Sequence, residues 1–298
     1  MRLSRELDKP GLRRKWFEPL WASRQTEVMI EARTLDTPLP DVTMAGQRWD
    51  GDPNHAVVLL HAGVCDSRSW LRVAPELTDL ATVWAYDRPG FGATPPSEGT
   101  RDHVADAEAF LDANVTGPAW LVGSSLGGAV ALDLAVARPE RVAGLVLLAP
   151  GMTGAPEPTL SAQERSFREL IDAATSAGDL DEANRYEVWF WLDGPDQPEG
   201  RVGGAARALA LEMNRTILDH GGEGEFDESI DAWHRLGELK LPVTVAVGEY
   251  DATFIADHAR QLAASVPGAT YLDLAGSAHL PYLDVPEQVI SAVRAVLG

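Results

Sequence analysis

Hydrophobic residues fall along this chain in two rhythms. Short, nearly unbroken apolar runs at Ala56 to Leu60, Thr82 to Tyr86, Trp120 to Val122, Val142 to Leu148, Val243 to Val247 and Thr270 to Leu274 have the length of strands, most of them buried on both faces. Between them lie stretches with helical spacing: Trp70 to Leu80, Arg101 to Ala113, Leu126 to Arg138, Phe254 to Ser265 and Pro286 to Leu297. Pro286 suits a first helical turn, where a missing N–H costs nothing. Near the start, Val28 to Leu35 and Val42 to Trp49 alternate apolar with polar, as two antiparallel strands at a sheet edge do. Strands alternating with helices predict an α/β fold, with a mostly parallel sheet of about eight strands and helices on both faces.

The alternation stops after Gly151. Residues 152–240 contain helical patterns at Ser161 to Ala177, Leu180 to Trp191 and Ala205 to Leu218, separated by Gly and Pro breaks, and no convincing strand. They are expected to form a helical cap inserted between the two parts of the core, residues 27–151 and 241–298. Residues 1–26 precede the core as an extension. Their aromatic stripe, Trp16, Phe17, Leu20 and Trp21, is expected to pack on the body of the same protein.

Composition narrows the function classes. The chain carries 45 acidic against 25 basic residues, a formal charge of −20, so nucleic acid and anionic membranes meet a repulsive field and are not expected partners. No apolar run reaches transmembrane length and the N-terminus has no signal-peptide core, which predicts a cytoplasmic address. Cys65 is the only cysteine, so there is no internal disulfide or cysteine-rich metal site. No metal or organic cofactor is expected. The partner expected is a small-molecule substrate, and the sequence leaves homo-oligomer formation open.

The stretch that carries chemistry is Gly123-Ser124-Ser125-Leu126-Gly127, set between an apolar strand and a helix. A turn this tight holds its middle residue in a strained conformation and stands the Ser125 hydroxyl at the strand end and helix N-terminus. A serine needs a base, and the base a group that orients it. Asp251, just past the Val243 to Val247 strand, and His279, in the loop after Thr270 to Leu274, offer both. The C-terminal ends of parallel strands share one edge, so these loops converge there. His55, His103, His220, His234 and His258 fall in turns or helices and read as structural. Glu249, Asp257, Asp273 and Asp284 are near neighbours of the pair, but Asp251 has the loop position. The Leu126 N–H and the Val64 N–H, in the loop after Ala56 to Leu60, are the expected donors to an oxyanion. His61 shapes that loop and is, with Trp189 and Trp191 in the cap's aromatic stretch, a candidate for the substrate pocket.

Five motifs in order, His61-Ala62-Gly63, Asp87-Arg88-Pro89-Gly90-Phe91-Gly92, Gly123 to Gly127, Gly248-Glu249-Tyr250-Asp251 and Ala278-His279, resemble the α/β-hydrolase fold superfamily over about residues 27 to 298. Within it, His61 to Trp70 and Ala278 to Glu287 look like bacterial esterases and enol-lactonases and are similar to carbon–carbon hydrolases of ring-cleavage products. Ala62 stands where many members have glycine, and the first 25 residues lie outside the family pattern. The resemblance implies a serine hydrolase cleaving a small ester or lactone through an acyl-enzyme on Ser125. The alternatives are hydrolysis of a vinylogous diketone by the same residues, perhydrolysis, or a low-turnover ligand-binding protein on the same scaffold.

Overall fold

A computed structural model describes residues 31–222 and 227–298; the expected extension and its aromatic stripe lie outside them. Eight strands form one sheet: β1 (Arg33–Pro38), β2 (Thr43–Trp49), β3 (Ala56–Leu60), β4 (Thr82–Tyr86), β5 (Ala119–Ser124), β6 (Val142–Leu148), β7 (Val243–Gly248) and β8 (Thr270–Leu274). Their order is β1-β2-β4-β3-β5-β6-β7-β8. β2 pairs antiparallel with β1 and β4, and every other pairing is parallel. The central strands are apolar on both faces because both are covered. Along β3, Val57 and Leu59 join one core while Val58 and Leu60 join the other.

The first core is closed by α1 (His103–Asn114), α2 (Leu126–Ala137) and α7 (Thr253–Ser265), through residues such as Phe110, Leu134 and Leu262. The second is closed by α8 (Pro281–Asp284), α9 (Pro286–Leu297) and two short 3-10 turns, through Tyr282, Val293 and Trp70. Between β6 and β7 the chain leaves the sheet for α3 (Ala162–Ser176), α4 (Leu180–Val188), α5 (Gly204–Asp219) and α6 (Ala232–Arg235). α3 opens with a capping box in which Ser161 and Glu164 each bond the other's backbone N–H. α6 differs from the other three, since its Ala232 packs into the first core.

Several elements depart from the sequence expectation. Trp70 to Leu80 is not one helix but 3-10 turns at Ser67–Trp70 and Ala74–Leu77. The Asp66 carboxylate caps the first, and Pro75 sits at the start of the second. Buried Trp70, Val73 and Leu77 follow a spacing of three and four that serves either helix type, and the chain must enter β4 at Thr82. Among the described residues the first strand runs over Arg33–Pro38, pairing Leu35 with Gly46, and residues 28–30 of the expected Val28 to Leu35 strand lie outside them. As a largely exposed edge strand β1 turns only Leu35 and Thr37 inward, too little to fix its ends. The helix expected to reach Trp191 ends at Val188 and widens into a π-helical turn, Trp189–Asp193. The short helices α6 and α8 have too few residues to show a period.

Candidate active site

Ser125 links β5 to α2 with φ 50° and ψ −116°, a conformation that a non-glycine residue adopts only when its surroundings impose it. They impose it through backbone bonds. The Ser125 N–H donates to Leu148 O of β6 (3.0 Å), and its carbonyl accepts from Gly128, Ala129 and Gly151 (2.8, 3.1 and 2.9 Å). The flanking glycines are steric necessities. A Cβ on Gly123 would lie 2.4 Å from Gly127 O, and one on Gly127 would lie 2.3 Å from Leu60 O. α2 is thereby seated against the ends of β3 and β5, and Leu126 is its first residue, whose N–H is among those a helix start leaves without an intrahelical acceptor.

Asp251 and His279 follow β7 and β8, and their loops are pressed together. A Cβ on Gly248 would fall 2.2 Å from Ala278 O, and the Tyr250 N–H donates to Ser277 O at 2.8 Å. His279 Nδ1 lies 3.0 and 3.1 Å from the two Asp251 carboxylate oxygens, with both side chains 2% exposed or less. The Ala252 N–H also holds the carboxylate, at 2.7 Å. Since an ionised carboxylate only accepts, Nδ1 carries the proton and Nε2 is left as the basic nitrogen. β5, β6, β7 and β8 are in register at this end, with Ser124 opposite Leu148 and Gly248 opposite Leu274, so all three loops leave the same edge.

The loop after β3 is pinned from behind. The Arg88 backbone N–H donates to His61 Nε2 (3.2 Å), so Nδ1 bears the ring proton and donates to Ala62 O (2.8 Å). The buried Arg88 guanidinium bonds His61 O (2.7 Å) and Ala62 O (3.2 Å) and lies over the Phe91 ring. Burial first, and then Arg88, push the His61 pKa well below its ordinary value, so this imidazole is neutral. The chain continues through Gly63 and Val64, which border a cavity of about 380 Å³ between the sheet edge and the inserted helices. Phe190, Trp191, Phe254, Ile171 and Ile217 give it apolar walls. Glu164, Arg168, Asp172 and Glu187 bring charge to its border, and Asn214 Nδ2 donates to Glu187 Oε2 at 2.6 Å.

Of the three expected pocket residues, only Trp191 borders this cavity. Its ring lies 4.4 Å from the His279 imidazole, and its carbonyl accepts the His279 N–H at 3.2 Å. His61 is fully buried in the loop network just described, because its ring is needed there to hold Arg88. Trp189 turns away: its indole N–H donates to Gln197 O (2.8 Å) and its ring meets Phe167 edge-on. Sequence reasoning missed Arg88 as the anchor of the loop, although it stands in a motif singled out above. It also missed Phe254, three residues after Asp251, and the pair Glu187 and Asn214, for which helical spacing gives no signal.

Residues 57–292 match the family model described as the alpha/beta hydrolase family. The chain belongs to that family. It is 36% identical over 135 residues to Lipase LipV of Mycobacterium tuberculosis, a match spanning 45% of this chain and about half, 48%, of that one. It is 26% identical over 245 residues to the pimeloyl-[acyl-carrier protein] methyl ester esterase of Chromobacterium violaceum, covering 80% of this chain and 92% of that one. A hydrolase of Pseudomonas aeruginosa PA01 superposes with a TM-score of 0.71 at 24% identity, over 90% of this chain and 98% of its own, and shares the fold. This alpha/beta hydrolase is an enzyme of the hydrolase class. Among its described residues no helix is long and apolar enough to cross a membrane.

Proposed function

We propose that the protein is a serine hydrolase of small carboxylic esters or lactones, working through an acyl-enzyme on Ser125. The observation that carries the reading is the strained Ser125 turn at the sheet edge from which the buried His279–Asp251 pair also emerges. In this reading His279 Nε2 takes the Ser125 proton as Oγ bonds to the carbonyl carbon. Asp251 accepts from Nδ1 and stabilises the imidazolium. The carbonyl oxygen becomes an oxyanion held by the N–H groups of Leu126 and Val64, each such donor contributing about 2.7–4 kcal/mol to the transition state. As the tetrahedral adduct collapses, the C–O bond to the alcohol breaks and His279 protonates that oxygen. Water, deprotonated by the same imidazole, then releases the acid and restores Ser125. Residues 152–240 act as a cap in this scheme, and the cavity beneath them, bordered by Val64 and Trp191, is the space in which the acyl group would lie. The methyl ester named for one relative, an esterase, and the lipase name of another support the same bond type.

A fluorophosphonate tests the mechanism directly. Wild-type protein is expected to be labelled on Ser125, and Ser125→Ala to lose both labelling and at least about a thousandfold of its p-nitrophenyl ester hydrolysis. Absence of labelling in the wild type removes the proposal. A parallel panel of simple esters, lactones and a ring-cleavage diketone fixes the substrate class, and turnover of the diketone alone would replace the ester reading with carbon–carbon hydrolysis.

A further inference from the structure

Arg201 lies beyond the π-helical turn and touches neither Asp251 nor His279, yet its side chain, 16% exposed, ends among the segments that carry them. Its Nε donates to Asp193 O (2.7 Å) and Nη2 to Leu192 O (2.8 Å), both in the turn. Nη1 donates to Gly276 O (2.7 Å), three residues before His279, and Nη2 also to Asp284 Oδ2 (2.7 Å), five residues after it. The guanidinium carbon lies 5.2 Å from the centre of the Tyr250 ring, next to Asp251. One planar fork thus spans the cap turn, the carboxylate loop and both flanks of the histidine.

The turn it grips reaches the same loops on its own account. Trp191 meets His279 through both ring and carbonyl. Gly194, at φ 104°, lies so close to the carboxylate loop that a Cβ there would be 2.4 Å from Tyr250 O. Behind the turn, the fully buried Asp193 carboxylate accepts from the Gly200 and Val202 N–H groups (2.9 Å each) and pairs with Arg207 (2.6 Å). That closes residues 193–202 into a rigid loop and presents Arg201 in a fixed direction. The histidine loop, by contrast, contains Gly276 at φ 73° and depends on such ties for its place.

We infer that Arg201 is a positioning residue for catalysis, bracing the cap turn across the two loops so that the imidazole is held at its working angle; the inference rests on the serine-hydrolase reading above. Arg201→Met is expected to lower kcat for a p-nitrophenyl ester about 10- to 100-fold with KM changed no more than about twofold, because geometry rather than binding is lost. Fluorophosphonate labelling slows in parallel, and the low-field proton resonance of the His279 Nδ1–H broadens or disappears. Arg201→Lys, which keeps the charge but not the fork, recovers only part of kcat, and Asp284→Ala shifts kcat and the resonance in the same direction by less. Arg235→Met, at an exposed pair with Glu238 away from the 193–202 loop, leaves all three at wild-type values. A folded Arg201→Met with unchanged kcat, labelling rate and resonance overturns the inference while leaving the serine hydrolase intact. If that variant does not fold, Asp284→Ala with wild-type kcat and resonance overturns it equally. An unlabelled wild type would instead remove the mechanism on which it stands.

Discussion

Asp133, in the buried flank of α2, is a carboxyl group whose ionisation works against the fold. It is 5% exposed, and burial first, then the nearby charges of Glu228, Asp227 and Asp231, raise its pKa from the ordinary 3.8 to about 6; the Thr153 hydroxyl, donating to Oδ1 at 2.6 Å, offsets only part of this. The folded pKa exceeds the unfolded one, so the contribution to stability is fully present below about pH 4 and is lost as pH rises through about 6. Asp133→Asn keeps an acceptor for Thr153 and removes the charge. It should raise the melting temperature at pH 8 and change it little at pH 4, the gain at pH 8 being on the order of 2–3 kcal/mol. Equal shifts at both pH values would contradict this. Asp133 and Arg201 share a trait that hides them from sequence reading, since their significance lies in groups remote in the chain. The strained turn at Ser125 was legible because its glycines are within two residues, and the loop positions of His279 and Asp251 because each follows a strand by only a few residues.

At the level of elements, α3 is joined to the core by Phe167, buried in a cluster with Ala149, Ala252 and Ile255, and by one carboxylate. Glu164, 2% exposed, accepts from the Ser161 N–H (2.6 Å), the Thr253 N–H (2.6 Å) and the Thr253 hydroxyl (2.8 Å), so it closes the start of α3 onto the start of α7. Glu164→Ala strands these donors and should cost on the order of 2–3 kcal/mol. The loss should fall mainly on the cap. Limited proteolysis is expected to cut near residues 155–176 well before the main denaturation transition, and cleavage no faster than in wild type would argue against the anchor. Ser161 three residues before Glu164 is a capping signature visible in the sequence, whereas the partner Thr253 is 89 positions away from Glu164. The same contrast explains the turn at 189–193. Its aromatic run reads as more helix, and what widens it is tertiary: Trp191 O is directed at His279, and Arg201 takes Leu192 O and Asp193 O. Central strands were legible because apolar runs of five to seven residues bounded by turn residues have few other uses, while edge strand β1 turns only Leu35 and Thr37 inward, too little to mark its limits.

For the molecule as a whole, parallel connection is what makes a site from distant residues, because strands β5, β7 and β8 deliver their C-terminal loops to one rim whatever lies between them in sequence. A long insertion, here residues 149–242, can therefore follow β6 without disturbing the rim, and in this chain it also braces it. Within the loop that leaves β3, Cys65 is wholly buried, and Tyr282 donates its hydroxyl hydrogen to Sγ at 3.6 Å. Burial pushes this thiol up to about 12, so in the folded protein almost none is thiolate at pH 8 and no reagent can approach it. The only sulfhydryl in the chain is thus a built-in clock. Ellman's reagent should consume it no faster than the native state opens, with the reaction accelerating steeply across a urea titration, and one equivalent of immediate colour in plain buffer would mean that the β3 loop breathes far more freely than its packing implies.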